Sequence, residues 1–142
     1  MPDRFIDTNI ILYLLEESPK GHIAEHVLQQ GGAISVQVLN ECLSNLRRKS
    51  RLEFSECTHF LHLVRQLVTV SPVTIETHDV GRALAEKYQL SIYDSLIAAS
   101  ALIGGCEILY SEDMQDGLLI ENSLTIRNPF KPDYLNTGGF AN

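Results

Sequence analysis

Arg4-Phe5-Ile6-Asp7-Thr8-Asn9-Ile10-Ile11 runs the apolar pair Phe5-Ile6 into a carboxylate and then into a helical repeat. The stretch reads as a short strand, Arg4 to Ile6, that delivers Asp7 at its C-terminal end. A helix through Ile10, Ile11, Leu14 and Leu15 follows and should stop before Pro19. Three more segments end an apolar run on an acid: Leu39-Asn40-Glu41, Ile92-Tyr93-Asp94-Ser95 and Leu109-Tyr110-Ser111-Glu112-Asp113. Hard cations such as Mg²⁺ and Mn²⁺ prefer oxygen ligands held on rigid elements. Four such ends in one small chain therefore point to a metal-dependent phosphoryl-transfer centre.

Outward from Asp7, strand and helix patterns alternate. The spacing predicts a second helix over about 22–30, with Ile23, Ala24, Val27 and Leu28 on one face, stopped by Gly31-Gly32. A brief strand, Ala33-Ile34-Ser35, leads into a third helix over about 36–49 that buries Leu39, Cys42, Leu43 and Leu46. The fourth helix carries Cys57, Phe60, Leu61, Val64, Leu67 and Val68 at helical spacing until Ser71-Pro72, and that stripe reads as core. After an apolar piece around Val73 to Ile75, helices follow over about 76–88 and 93–103. Gly104-Gly105 ends the second of these, Ile108-Leu109-Tyr110 reads as a buried strand, and Leu124-Thr125-Ile126 reads as the last. Strands alternating with helices imply a parallel sheet covered on both faces. The tail from Asn128, with two prolines and Gly138-Gly139, reads as a loose extension. The domain is accordingly 1–129 and the tail 130–142.

The chain's 142 residues suffice for one core and not for two. Hydrophobic residues make up 44% and charged residues 20%, which excludes a disordered or fibrous chain. The apolar runs fall short of a membrane span, and Met1-Pro2-Asp3-Arg4 does not open a secretory signal, so a cytoplasmic protein is expected. Cys42, Cys57 and Cys106 sit in apolar patterns and read as reduced core residues. The net charge of −7 argues against general nucleic-acid binding, yet four of the eleven bases lie within Arg47-Arg48-Lys49-Ser50-Arg51. That run fits either a helix C-terminus complementing the macrodipole or a phosphate contact.

Ligands of open α/β sheets bind at the carboxyl ends of the strands, where Asp7 and the Ser111-Glu112-Asp113 segment should both fall. Asp94 opens a helix from which it can turn toward the same crevice. Glu41 lies off the Leu39 and Leu43 stripe, on a polar line with Asn45 and Arg48, and the pattern leaves open whether it faces a cleft or solvent. Each acid also has a structural role open to it: Asp7 as a helix cap, Asp94 in a capping box opened by Ser91, Asp113 with Asp116-Gly117 as turn chemistry. Capping does not require all four acids to gather in one cleft, whereas two-metal catalysis requires several carboxylates around neighbouring ions.

These four segments, in this order, resemble those of the PIN-domain ribonucleases, in particular the VapC-type toxins of toxin-antitoxin pairs. Phe5-Ile6-Asp7-Thr8-Asn9-Ile10 is similar to the family's first acidic motif and Ser35-Val36-Gln37-Val38-Leu39-Asn40-Glu41 to the second. The segment Ser91 to Ala101 is similar to the third, and Leu109 to Gly117 to the fourth. The resemblance spans about Arg4 to Pro129. It implies a three-layer α/β/α fold with a four- or five-stranded parallel sheet, and one or two Mg²⁺ or Mn²⁺ ions held by Asp7, Glu41, Asp94 and Asp113. Of these, Glu41 would bind a second ion or orient water. Asn9 and Ser111 would hold the carboxylates and water in place, and Asp116 is an additional acid. The implied reaction is hydrolysis of RNA phosphodiesters by metal-activated water, leaving a 5′-phosphate and a 3′-hydroxyl, with Arg47, Arg48, Lys49 and Arg51 available to the RNA backbone. A small antitoxin protein and a homodimer are the implied partners, with surfaces available on the second and fourth helices. An orphan RNA-processing nuclease would show the same motifs, and a non-catalytic RNA- or protein-binding module on this fold would be expected to have lost some of the acids. A haloacid-dehalogenase-type phosphatase would want an acid where Asn9 stands, and a response-regulator receiver would want a late lysine after a strand.

Overall fold

Strands of only two to four residues, too short to show any period, build the sheet. In the computed structural model, which describes residues 2–132, they are β1 (Arg4–Ile6), β2 (Ala33–Ser35), β3 (Thr69–Ser71) and β4 (Ile108–Tyr110), followed by β5 (Leu119–Ile120) and β6 (Leu124–Arg127). The helices are α1 (Thr8–Leu12), prolonged by a 3₁₀ turn over Tyr13–Leu15, then α2 (Pro19–Gln29), α3 (Val36–Arg48), α4 (Phe54–Leu67), α5 (Ile75–Tyr88) and α6 (Ile92–Ile103). The strand order is β3-β2-β1-β4-β6-β5. Five strands run parallel, in the expected three-layer α/β/α arrangement, and β5 adds a short antiparallel edge to β6. β1 lies inside the sheet, with Phe5 opposite Ala33 of β2 on one side and Leu109 of β4 on the other. Its Phe5 and Ile6, with Ile34, Leu109 and Ile126, form the wholly apolar centre on which Ile10, Ile11, Leu28, Val38 and Ile97 close.

Several boundaries differ from the sequence reading for local reasons. Pro19 starts α2 rather than merely ending its predecessor: it occupies the first turn, and Ser18 Oγ caps the helix by accepting from Gly21 N at 3.1 Å. Helical spacing carried the fourth helix to Ser71, but α4 ends at Leu67. Thr69–Ser71 leave it to pair with β2, Ala33 to Thr69 through Ser35 to Ser71. The apolar piece after Pro72 forms no strand, since Thr74 caps α5 and Ile75 is its first residue. β5 was unforeseen: Glu121 and Asn122, both at left-handed φ (51° and 58°), turn the chain so that Leu119 and Ile120 meet β6.

The α4 stripe is core only in part. Cys57 and Val64 are buried and Phe60 and Leu61 half-buried, but Leu67 is 47% exposed, as is Leu63. α4 lies against α3 and β3 at the margin of the sheet, so it has only one narrow face to bury. The segment from Asn128, read above as the start of a loose extension, is tied down at its beginning. Asn128 N donates to Asp116 Oδ1 (2.8 Å), and Phe130 packs edge-on to Tyr13 with ring centroids 4.9 Å apart. The rest of the expected tail, residues 133–142, lies outside the described residues. Among the described residues no helix is long and apolar enough to cross a membrane. Cys42, Cys57 and Cys106 are all buried free thiols.

Candidate active site

The carboxyl edge of β1 and β4 opens a crevice with Asp7 at its floor, 3% exposed. Asp7 continues the extended path of β1, its N–H donating to Tyr110 O at 2.9 Å, and then caps α1 by accepting from Thr8 N at 2.7 Å. Its second oxygen accepts from Ser111 Oγ at 2.7 Å. Ser111 in turn accepts from the backbone N–H groups of Asp113 and Met114, both at 3.2 Å, so one hydroxyl fixes Asp7 and shapes the loop that carries Asp113.

Glu41 enters from α3 and faces the cleft, not bulk water: its two oxygens accept from Thr8 Oγ1 (2.9 Å) and Gln37 Nε2 (2.7 Å). Asp94 stands in the first turn of α6, which Ser91 caps by accepting from Asp94 N at 3.1 Å. Asp7 lies within electrostatic reach of Asp94 and Glu41, and Asp94 within reach of Asp113, which is exposed at the mouth, and of Glu41. Burial pushes the Asp7 carboxyl up to about 7, its hydrogen bonds from Ser111 and Thr8 oppose this, and the charges of Asp94 and Glu41 add to it. Asp94 is likewise raised, first by burial and then, against its Ser91 hydrogen bond, by Asp113 and Glu41.

The capping and catalytic readings of Asp7 thus do not compete; the residue caps α1 and still faces the other acids. Among the described residues, however, no three Asp, Glu, His or Cys side chains are closed around a common point as a finished metal cage. Like charges this close repel, most strongly at buried Asp7, and the hydrogen bonds that Asp7 and Glu41 accept come from neutral groups, Thr8, Ser111 and Gln37. A divalent cation suits this donor set: it takes carboxylate oxygens and would offset the burial and like charges that push the Asp7 carboxyl up.

The supporting residues depart from expectation in places. Asn9 turns its amide oxygen to accept from Glu112 N (3.3 Å), so it holds the β4 loop and not a carboxylate. Asp116 is occupied by Asn128 N, which makes it a brace between the loop and the end of β6. Arg47 donates to Leu52 O at 2.9 Å and lies 4.0 Å over the Phe54 ring, bracing the α3–α4 connection, while Arg48, Lys49 and Arg51 are exposed around the end of α3. Three contributors escaped the sequence reading. Thr8 joins Asp7 to Glu41, and Gln37 was legible, standing four residues before Glu41 on one helix line. The third is a clamp in which Tyr13 Oη (2.7 Å) and Lys20 Nζ both donate to Glu112, next to Asp113. Burial pushes the Glu112 carboxyl up, but these partners outweigh it and hold it below its ordinary range.

Removing the Ser111 hydroxyl should therefore cost more than one hydrogen bond. Ser111→Ala is expected to weaken Mn²⁺ binding by roughly 10- to 100-fold, the usual effect of losing a group that orients a ligand, with the fold retained. Calorimetric titration with Mn²⁺ checks this; unchanged affinity would show that Asp7 needs no such support.

A family model described as PIN domain matches residues 4–115. No curated protein matches the chain. Among solved structures, a toxin-antitoxin complex from Klebsiella pneumoniae has a chain similar to this one at 18% identity and a TM-score of 0.69, covering 90% of this chain and 98% of that one. The Mycobacterium tuberculosis toxin VapC20, described as cleaving the sarcin-ricin loop, is 17% identical with a TM-score of 0.64, covering 78% and 89%. VapBC2 of Rickettsia felis, bound to a DNA fragment from its promoter, gives 18%, 0.63, 88% and 98%. At these identities the likeness is one of fold.

Proposed function

Since this chain belongs to the PIN-domain family, we infer that it is a divalent-metal-dependent endoribonuclease acting in the cytoplasm as the toxin of a toxin-antitoxin pair. What supports the reading is that acids from four separate segments are linked in series, Asp7 to Glu41 and Asp94, and Asp94 to Glu41 and Asp113. Mg²⁺ or Mn²⁺ held there would lower the pKa of water and offset charge on the scissile phosphate. Asp7, fixed by Ser111 and Thr8, would be the anchoring ligand, and Asp94 and Asp113 would complete the site from the α6 and β4 sides. Glu41, kept half-buried between Thr8 and Gln37, orients the attacking water or takes its proton. In-line attack of water forms a new P–O bond as the bond to the 3′ oxygen breaks, and the departing oxygen takes a proton from solvent, giving a 3′-hydroxyl and a 5′-phosphate.

Within the basic run, Arg48 is seven residues from Glu41 and so returns to the same helix line, about 10 Å farther along α3, whereas Arg47 is committed to Leu52 and Phe54. Arg48→Ala is expected to raise KM for RNA several-fold and flatten its salt dependence; Arg47→Ala should instead lower the melting temperature. Equal KM effects from both would reject this division. The solved toxin-antitoxin complexes support a small antitoxin as partner, and the exposed Phe54, Leu63 and Leu67 of α4 offer an apolar surface for it or for a second copy.

The test is cleavage of a mixed RNA pool with Mn²⁺ or Mg²⁺, with and without EDTA. Discrete products bearing 5′-phosphates, lost with EDTA, are expected. Intact RNA under every metal, with RNA still bound, would make the chain a binding module.

A further inference from the structure

Two buried side-chain oxygens among the described residues lack a hydrogen-bond partner, Ser35 Oγ and Ser100 Oγ. A hydroxyl withdrawn from water without a partner costs stability, so its position needs a reason. Ser35 is 0% exposed and ends β2. Phe5 stands opposite Ala33, and both chains remain extended for two more residues, Asp7 at φ −76°, ψ 161° and Ser35 at φ −115°, ψ 169°. Carrying the register forward sets Ser35 opposite Asp7 on the neighbouring parallel strand, with both side chains on the same face of the sheet. Ser35 also immediately precedes the helix that brings Glu41, but it does not cap it: no side-chain cap hydrogen bond forms there. The ordinary use of a serine at this position is absent, and the hydroxyl is left beside the acids.

We propose that Ser35 is a positioning residue of the metal site, its hydroxyl reserved for a hydrogen bond that forms only when a divalent cation and its accompanying water occupy the crevice beside Asp7. Mg²⁺ and Mn²⁺ retain waters when protein-bound, and an enclosed water needs two or more polar partners. The acids can accept from such a water but donate nothing to it at neutral pH when ionised. A hydroxyl can both donate and accept, which makes Ser35 the complement the four carboxylates lack. The inference rests on the metal-dependent reading above and adds a residue to it. Ser100 supplies the control: it is equally unpartnered, but lies six residues past Asp94 in α6, about 9 Å along the helix.

The experiment is Mn²⁺ titration followed by electron paramagnetic resonance of the free ion, with melting in EDTA, on wild type, Ser35→Ala, Ser100→Ala and Asp7→Asn. Both serine variants should melt no lower than wild type in EDTA, because each removes an unpaired buried hydroxyl. Only Ser35→Ala should lose Mn²⁺ affinity, by about tenfold, and Asp7→Asn should lose it altogether. Wild-type affinity in Ser35→Ala, or a large drop in its melting temperature in EDTA, would overturn the proposal, the second by showing that the hydroxyl is already bonded in the metal-free protein. Absence of Mn²⁺ binding by folded wild type would overturn the metal-dependent reading and this inference with it.

Discussion

Asp7→Asn is expected to reduce RNA cleavage by at least about 100-fold while making the metal-free protein more stable at neutral pH. The two effects have one cause. Desolvation raises the Asp7 carboxyl from 3.8 to about 7, so the folded chain holds a proton that the unfolded chain has released. Below pH 3.8 both states are protonated and nothing is lost. As pH rises from there to about 7 the unfolded state ionises first and gains the advantage, and above 7 the full penalty remains. A shift of this size corresponds to about 4 kcal/mol at 1.36 kcal/mol per unit. An amide carries no charge at any of these pH values, so melting curves in EDTA should show wild type losing stability between pH 4 and 8 and Asp7→Asn losing much less. Adding Mn²⁺ should stabilise wild type and leave the variant unmoved, since only a state that binds ligand is stabilised by it. A variant that cleaves RNA normally, or melts below wild type at pH 8, would refute the assignment of Asp7 as a buried anionic ligand.

Gly21→Ala should be among the most damaging single-methyl changes in the chain. A Cβ at Gly21 would stand 2.0 Å from Glu16 O and 3.1 Å from Tyr13 O, both backbone atoms, so no side chain can swing aside to make room. The 3₁₀ turn and the start of α2 would have to part, at about 3 kcal/mol or more for overpacking of this kind. Gly117, at φ 86° with open space around it, gives the contrast: alanine there meets only backbone strain, about 1 kcal/mol. Because Tyr13 and Lys20 both hold Glu112 beside Asp113, parting them should also loosen the site. Thermal melts checked against Gly117→Ala, with Mn²⁺ affinity measured on the folded fraction, test both effects. A Gly21→Ala protein as stable as Gly117→Ala would show that the close approach is not obligatory.

How far the sequence spoke for itself varied with the kind of contact involved. β1 with Asp7, α3 with Glu41 and α6 with Asp94 were legible because each is a local pattern, an apolar run followed by an acid. β3 and β5 were not: Thr69-Val70-Ser71 continues the apolar spacing of α4 and holds one apolar residue, Leu119-Ile120 is a mere pair, and each is completed by the hydrogen bonds of a neighbouring strand. α4 looked like core because periodicity reports which face is apolar and not whether anything covers it. In the site, Ser111 was read from its place in the fourth motif, whereas Thr8 became visible only once α1 and α3 lay side by side, and Asn9 and Asp116 turned to backbone groups that no spacing rule could nominate.

The central place of β1 has a consequence for how the protein comes into being. β1 needs β4 as a neighbour, and the bond from Ser111 to Asp7 joins residues 104 positions apart. At typical rates of synthesis, about 5–20 residues per second, Asp7 leaves the ribosome several seconds or more before the segment that must flank it exists. A nascent chain therefore carries Asp7 without the loop that would flank it, and any catalytic power arrives only when β4 and Asp113 have emerged and docked. A polypeptide able to cut cellular RNA would in this way stay harmless until that later segment has been made.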